Sequence, residues 1–290
     1  MQNRRFRYVL ASFLCVMGCF ARYASAASDR RFSLSFSGGM GYLADTEWFR
    51  DLQGQDLKLA GQALGVISPH LAVVRDGYGF ERVWPEFTLE AAYRLTSRFS
   101  LGLGAGYVSR KWMLAGRFER RTFIPEDTAN FDFSHEYRLA YFPVYLCAVY
   151  EAFQTRTSTF GAQAAVSFDI LKLDHVDERA DTYFSRVDGQ YKQYGETVTQ
   201  DGAGAHALGM RAGIFGERRL TEALATFITV EFRLSPVGEV FGSSVRSATL
   251  KSNDKLIYDT REVRTRESVQ PGHSFVMTGP VVRGGIKVRF

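Results

Sequence analysis

In the stretch LKLDHVDE an aspartate, Asp174, stands directly before a histidine, His175. A carboxylate beside an imidazole is the pairing from which a general base is built, the carboxylate fixing the ring and the ring taking the proton. Hydrolysis would need a second acid pair to join them, and the chain offers no convincing one. The remaining histidines His70, His135, His206 and His273 fall near loops, with no spacing that singles one out. Cys147 is the lone cysteine once the first 26 residues are set aside, so neither an intrachain disulfide nor a cysteine-based zinc site can form. The glycines of GLGAG, Gly102, Gly104 and Gly106, are spaced by twos and lack the helix that follows a dinucleotide fingerprint. They fall on one face of a strand and leave room there for large neighbours. The expectation is a protein with no catalytic residues, no metal site and no cofactor, and not an enzyme.

The elements that must position these residues begin behind an export signal. MQNRRFRY is basic, VLASFLCVMGCFA is an apolar core of signal-peptide length, and Ala24 to Ala26 form a small-x-small cleavage site. Residues 1–26 therefore read as a cleaved signal peptide and 27–290 as the mature domain. A lipoprotein box ending at Cys19 is the competing reading, and the Met before its Gly fits that motif poorly. The signal holds four of the chain's 36 basic residues, Arg4, Arg5, Arg7 and Arg22, and none of its 31 acidic ones. The mature charge is thus close to neutral, and the basic balance that would suggest nucleic-acid binding disappears.

Beyond the signal, period-two alternation recurs in eight segments, and period two is the signature of a strand with unlike faces. They start with RFSLSFSGGMGYL, PEFTLEAAYRL and FSLGLGAGYVSRKW. EYRLAYFPVYLCAVYE follows, apolar on both faces and unassignable in its sides, and then STFGAQAAVSFDILKL. HALGMRAGIFG, LATFITVEFRL and the terminal GPVVRGGIKVRF complete the set. Pro143 and Pro280 fall inside two segments, where each is expected to mark a bulge or a strand end. Links strictly alternate between short (TSR, AFQTRT, ERRLTE) and long polar ones at about 44–84, 114–134, 174–205 and 235–274. Loops beyond about 15 residues are uncommon in compact domains, and four on one side of a sheet require a reason. An all-β, eight-stranded antiparallel up-and-down transmembrane β-barrel supplies it, with short periplasmic turns and long extracellular loops. Closure leaves no strand edge to hydrocarbon. Phe32, Phe99, Phe153, Phe160 and Phe290 then sit toward the turn end, and Tyr42, Tyr107, Trp112 and Tyr137 toward the loop end, as interfacial girdles.

With these features the chain resembles the superfamily of small bacterial outer-membrane β-barrels, the group of eight-stranded outer-membrane-protein-A, opacity and channel-type barrels. Its end is similar to the β-signal read by the barrel-assembly machinery: Phe290 last, with Val288, Ile286 and Val282 at alternating positions and Gly284 as the small exception. The resemblance implies the outer membrane of a Gram-negative-type bacterium, with outer-membrane lipid and the assembly machinery as partners and no nucleic acid. It does not imply an activity. In the omptin proteases one residue separates the aspartate from the histidine and the barrel has ten strands, so Asp174 and His175 depart from that pattern.

The expected lumen carries a charged set, Glu86, Glu90, Arg94, Arg110, Asp169, Arg211, Glu231, Arg233, Arg283, Lys287 and Arg289. An eight-stranded barrel is wide enough only for side chains to fill it or for one small ligand, so these charges are expected to pair and plug the tube. The leading function is a structural or surface-interaction role with a ligand held by the external loops. A small porin is the alternative, and a barrel hydrolase of omptin or lipid A-modifying type the third. In the first long link, WFRDLQGQDLKLAGQAL places Phe49, Leu52, Leu59, Ala63 and Leu64 near helical spacing and suggests a short amphipathic helix.

Overall fold

A computed structural model describes residues 31–43, 83–121, 128–185, 189–268 and 274–290, with side chains omitted at 112–129 and 131. The expected signal peptide at 1–26 and the expected amphipathic segment of the first link lie outside the described residues.

Eight strands close a ring: β1 (Phe32–Tyr42), β2 (Val83–Arg94), β3 (Phe99–Arg121), β4 (Thr128–Gln154), β5 (Ser158–Ser185), β6 (Gln190–Arg219), β7 (Leu224–Leu234) and β12 (Gly279–Arg289). Each pairs antiparallel with the next, β7 pairs with β12, and β12 seals against β1 from Ser33↔Arg289 to Gly41↔Val281. This is the expected up-and-down barrel. Strand faces separate cleanly. Phe36, Met40, Phe87, Leu103, Val166, Leu208, Ile214, Ile228 and Ile286 point outward and are exposed, Leu208 by 81%. Glu86, Thr88, Asp169, Arg211, Glu231, Arg233 and Arg283 point inward and are buried. An apolar belt outside and a charged interior is the inverse of a water-soluble barrel and the arrangement that lipid demands.

The three short turns that join β2 to β3, β4 to β5 and β6 to β7 share one device. Thr96, Thr155 and Thr221 each accept on the hydroxyl oxygen from the backbone amide three residues ahead, at Phe99, Ser158 and Leu224, over 2.9–3.1 Å. A hydroxyl that replaces a backbone acceptor closes a tight turn without glycine.

Strand lengths divide the ring in two. β1, β2, β7 and β12 have 11 or 12 residues, which at a tilt near 45° span about 25 Å of apolar layer. β3 to β6 have 23, 27, 28 and 30, so their outer halves stand beyond the membrane. Much of the sequence expected as long loops at 114–134, 174–205 and 235–274 is therefore strand. The outer half of β6 exchanges its partner: Met210–Arg219 pairs with β7, while Lys192–Gly204 pairs with β9 (Phe241–Ser252), which in turn pairs with β10 (Lys255–Ser268). The result is a one-sided wall in the order β10-β9-β6-β5-β4-β3, rising from half of the rim. Its base is marked by register shifts at Leu173/His175 and Asp201/Gly204, with Gly202 at a φ of 68°. Only glycine enters that region without strain.

Two short strands, β8 (Pro236–Gly238) and β11 (Phe275–Val276), pair with each other above the ring. They belong to an apolar core in the mouth, formed by Trp84, Val108, Leu139, Tyr141, Leu171, Leu173, Val237, Val240, Phe275 and Met277.

Two expectations are corrected. Pro143 marks neither a bulge nor a strand end: it lies mid-β4 opposite Asp169, with no register shift at that point. Its ring is received by Gly106, whose added Cβ would lie 2.9 Å from the Pro143 Cγ. Tyr137 does not join the girdle; it faces inward, 4% exposed, in the mouth core. Pro280 does stand at a strand end.

Candidate functional site

The lumen is packed in layers. At the turn end Arg94 pairs with Glu151 at 2.7 Å, and Glu217 takes Lys287 at 3.1 Å together with Arg289. Above them runs an alternating chain of five charges. Arg283 donates to Glu231 at 2.7 Å, Glu231 accepts from Arg211 at 3.2 Å, Arg211 also reaches Glu86 at 3.1 Å, and Glu86 holds Arg233 at 2.7 Å. Each of the five side chains is at most 4% exposed. Charges with so little water are tolerable only when partners meet them on several sides. Further contacts supply those sides: Gln163 donates to Glu231 at 2.9 Å, Arg283 to the Thr88 hydroxyl at 2.9 Å, and Arg233 to the Met277 carbonyl at 2.9 Å. Arg211 and Arg233 also lie over the rings of Tyr145 and Tyr141, at 4.8 and 5.0 Å.

The inward glycines of β3 make this packing possible. Gly104 lies against the Tyr145 ring and Gly102 against Cys147, so a side chain at either would occupy space already taken. Between the turn-end pairs and the five-charge chain lies a cavity of about 40 Å3, lined by Ser37, Thr88, Glu90, Gln163, Arg283 and Lys287 among others. That holds a water or two and no larger solute.

Of the expected lumen set, Glu86, Arg211, Glu231, Arg233 and Arg283 form the central chain, and Lys287, Arg289 and Arg94 pair nearer the turns. Glu90 accepts from the Tyr145 hydroxyl at 3.4 Å. Asp169 is fully buried beside Ser167 and over Gly209, with neither oxygen hydrogen-bonded among the described residues. Arg110 lies higher on β3, opposite Leu139 and half-exposed. Sequence reading missed the acids Glu151 and Glu217. The first sits on the strand whose sides it could not assign, and the second fell in a stretch taken as a turn.

A second cluster sits on the wall. Asp174 and His175 do not act together, because consecutive strand residues face opposite ways. Asp174 accepts a hydrogen bond from the Gly202 amide at 2.8 Å and caps the shift at the base of the wall. His175 turns to the inner face, where its ring stacks on Tyr137 at 4.2 Å and 10°. Asp177 lies two residues on, on the same face, and His135 of β4 stands directly across from Asp177. Asp177 contacts both imidazoles. Burial pushes the Asp177 carboxyl up, but the contacts with His135 and His175 outweigh it and hold the group at about 2. His206 lies outside this cluster, on the outer face against Phe168. His70 and His273 fall outside the described residues.

The terminal strand places Val282 and Ile286 on the outward face, with Phe290 against Phe32 at a ring separation of 6.0 Å.

No family model matches the chain, and no curated protein matches it. Among solved structures it is similar to a major outer membrane protein of Thermus thermophilus, at 11% identity and a TM-score of 0.37, over 89% of this chain and 99% of that one. It is also similar to Ail, the attachment invasion locus protein of Yersinia pestis, at 12% identity and a TM-score of 0.33, over 90% and 99%. CarO2 of Acinetobacter baumannii follows at 13% identity and a TM-score of 0.26, over 70% and 92%. The architecture rests on the closed strand pairing and its inverted faces: an eight-stranded antiparallel up-and-down transmembrane barrel.

Proposed function

We propose that the protein is an integral outer-membrane barrel with a surface-interaction role, and that the wall built from β3–β6, β9 and β10 carries the contact. The observation that supports this is the contrast between a lumen filled with ion pairs and an apolar mouth, and a six-stranded sheet standing outside the membrane. Among the described residues the β10 strand pairs only with β9, and Leu256, Ile257, Tyr258 and Val263 are exposed on it. An open edge of this kind can accept an extended partner segment. The reading assigns no catalysis to the chain. The terminal set of Val282, Ile286, Val288 and Phe290 serves assembly into the outer membrane.

The test removes residues 241–268, the β9–β10 hairpin, and compares adhesion of bacteria that carry the parent or the shortened chain to immobilised matrix proteins. Adhesion that falls to background, with heat-modifiable migration retained, supports the reading; equal adhesion sinks it. In planar bilayers the parent is expected to give no discrete conductance, and reproducible steps would favour the small-porin alternative.

A further inference from the structure

The geometry points to a divalent metal site on the inner face of the wall, formed by His135, His175 and Asp177. The donor atoms of the three residues all lie within 4.8 Å of one another. The ladder dictates this. Opposite residues on one face are about 5 Å apart and the diagonal neighbour about 7–8 Å, which lets three side chains converge on one point.

Second, His175 is built as a ligand rather than as a hydrogen-bonding core residue. Its side chain is 9% exposed, and the Tyr137 ring fixes its plane. Its Nε2 is buried against the Asp177 oxygen, yet among the described residues it makes no hydrogen bond of acceptable direction. A buried polar atom without a directed partner is costly. Both imidazoles meet the same Asp177 oxygen, Oδ1, and one cation between the three donors would give each of them a directed partner.

The donor set selects the ion. Two imidazole nitrogens and one carboxylate oxygen, with no sulfur, suit zinc or a neighbouring late first-row divalent ion, while calcium and magnesium require oxygen ligands. Three protein ligands leave a tetrahedral ion one open position. That position faces the side from which His135 and Asp177 are reached, since these side chains keep 19% and 30% of their exposure. The wall would therefore hold a metal that can take a further ligand from outside.

The experiment uses the full mature chain folded in detergent, stripped with chelator, and titrated with Co(II) as a spectroscopic probe. One equivalent per chain is expected, with visible d–d absorption that Zn(II) abolishes. His175→Ala and Asp177→Asn should each weaken uptake by at least about tenfold, the scale that even second-shell losses reach, while His206→Ala binds as the parent does. The absence of stoichiometric uptake overturns the proposal, as does uptake unchanged in the His135→Ala/His175→Ala double variant. A second measurement needs no variant: Zn(II) should shield His135 and His175 of the parent, but not His206, from acylation by diethylpyrocarbonate, read by mass spectrometry. Equal labelling of all three with and without zinc also overturns it.

Discussion

The barrel wall within the membrane and the wall above it are the same strands in two solvents. Inside the membrane, β5 alternates Phe160, Ala162, Ala164, Val166 and Phe168 outward with Gln163, Ser167 and Asp169 inward. Past Leu173 the same strand leaves the lipid and runs Asp174, His175, Val176, Asp177, Glu178, Arg179 with no apolar face at all. Below, each strand is pinned by two neighbours, lipid and a packed ionic lumen. Above, β10 ends the sheet among the described residues, and ion pairs such as Arg264–Glu262 and Arg179–Asp181 are well exposed. Electrostatics should therefore dominate stability in the lower region and contribute little in the upper one.

The largest effect is expected where that difference is greatest. Glu86→Gln leaves Arg211 and Arg233 without their shared carboxylate in a space where all three are buried. Breaking a buried pair from one side costs about 3–5 kcal/mol. The urea midpoint of the folded, heat-modifiable form should fall accordingly. The matching change above, Glu262→Gln, breaks an exposed pair and is expected to leave the midpoint nearly unchanged. Equal losses would erase the distinction between the two regions.

A steric change sharpens it next. Gly104→Leu drives a side chain into the Tyr145 ring inside the lumen and should cost about 1–3 kcal/mol by overpacking. Tyr145→Ala in the same chain should recover part of the loss, because it reopens the space. In the wall, Gly195→Ala meets only the Thr249 hydroxyl, at 3.2 Å, and is expected to leave the midpoint nearly unchanged.

The lower region was legible in the sequence and the upper one largely was not, for one reason. Period two is informative when the two faces have different solvents. It placed β1, β2, β7 and β12 to within a few residues and sorted Glu86, Arg211, Glu231, Arg233 and Arg283 inward. It failed on β4, where Tyr141, Tyr145, Cys147 and Val149 form an apolar inner face as backing for the arginines. Above the membrane it read strands as loops, because polar residues occupy both faces there. The His135–His175–Asp177 cluster was hidden by a further device. Counting outward from the Gln154↔Thr159 pair would set Asp177 opposite Glu136. The register shift between Glu151 and Phe153 moves the pairing by one residue and brings His135 across instead. The sequence reading paired His175 with Asp174 at the start of a loop, not with Asp177 along a strand, and reaching His135 required a bulge that no turn motif announces.

The smallest effect expected concerns acid, and it separates the regions by pH. Glu196, on the β6 half of the wall, takes the Tyr194 hydroxyl at 2.8 Å and the Arg246 guanidinium of β9. Burial raises its carboxyl, but the contacts with Tyr194 and Arg246 outweigh burial and hold it below the ordinary value of 4.5. A carboxyl lowered on folding lends stability that is fully present above its unfolded value and fades as the pH falls through the folded one. The β6–β9 seam should thus begin to loosen below about pH 4.5, in the range where free glutamate itself titrates. An acid-active protease such as pepsin should cut within 241–268 progressively faster from pH 4.5 to 2, while the migration of the closed barrel stays heat-modifiable. Glu196→Gln should flatten that dependence. If the wall and the barrel open together over the same range, the two regions form one cooperative unit, and the division drawn at the membrane surface fails.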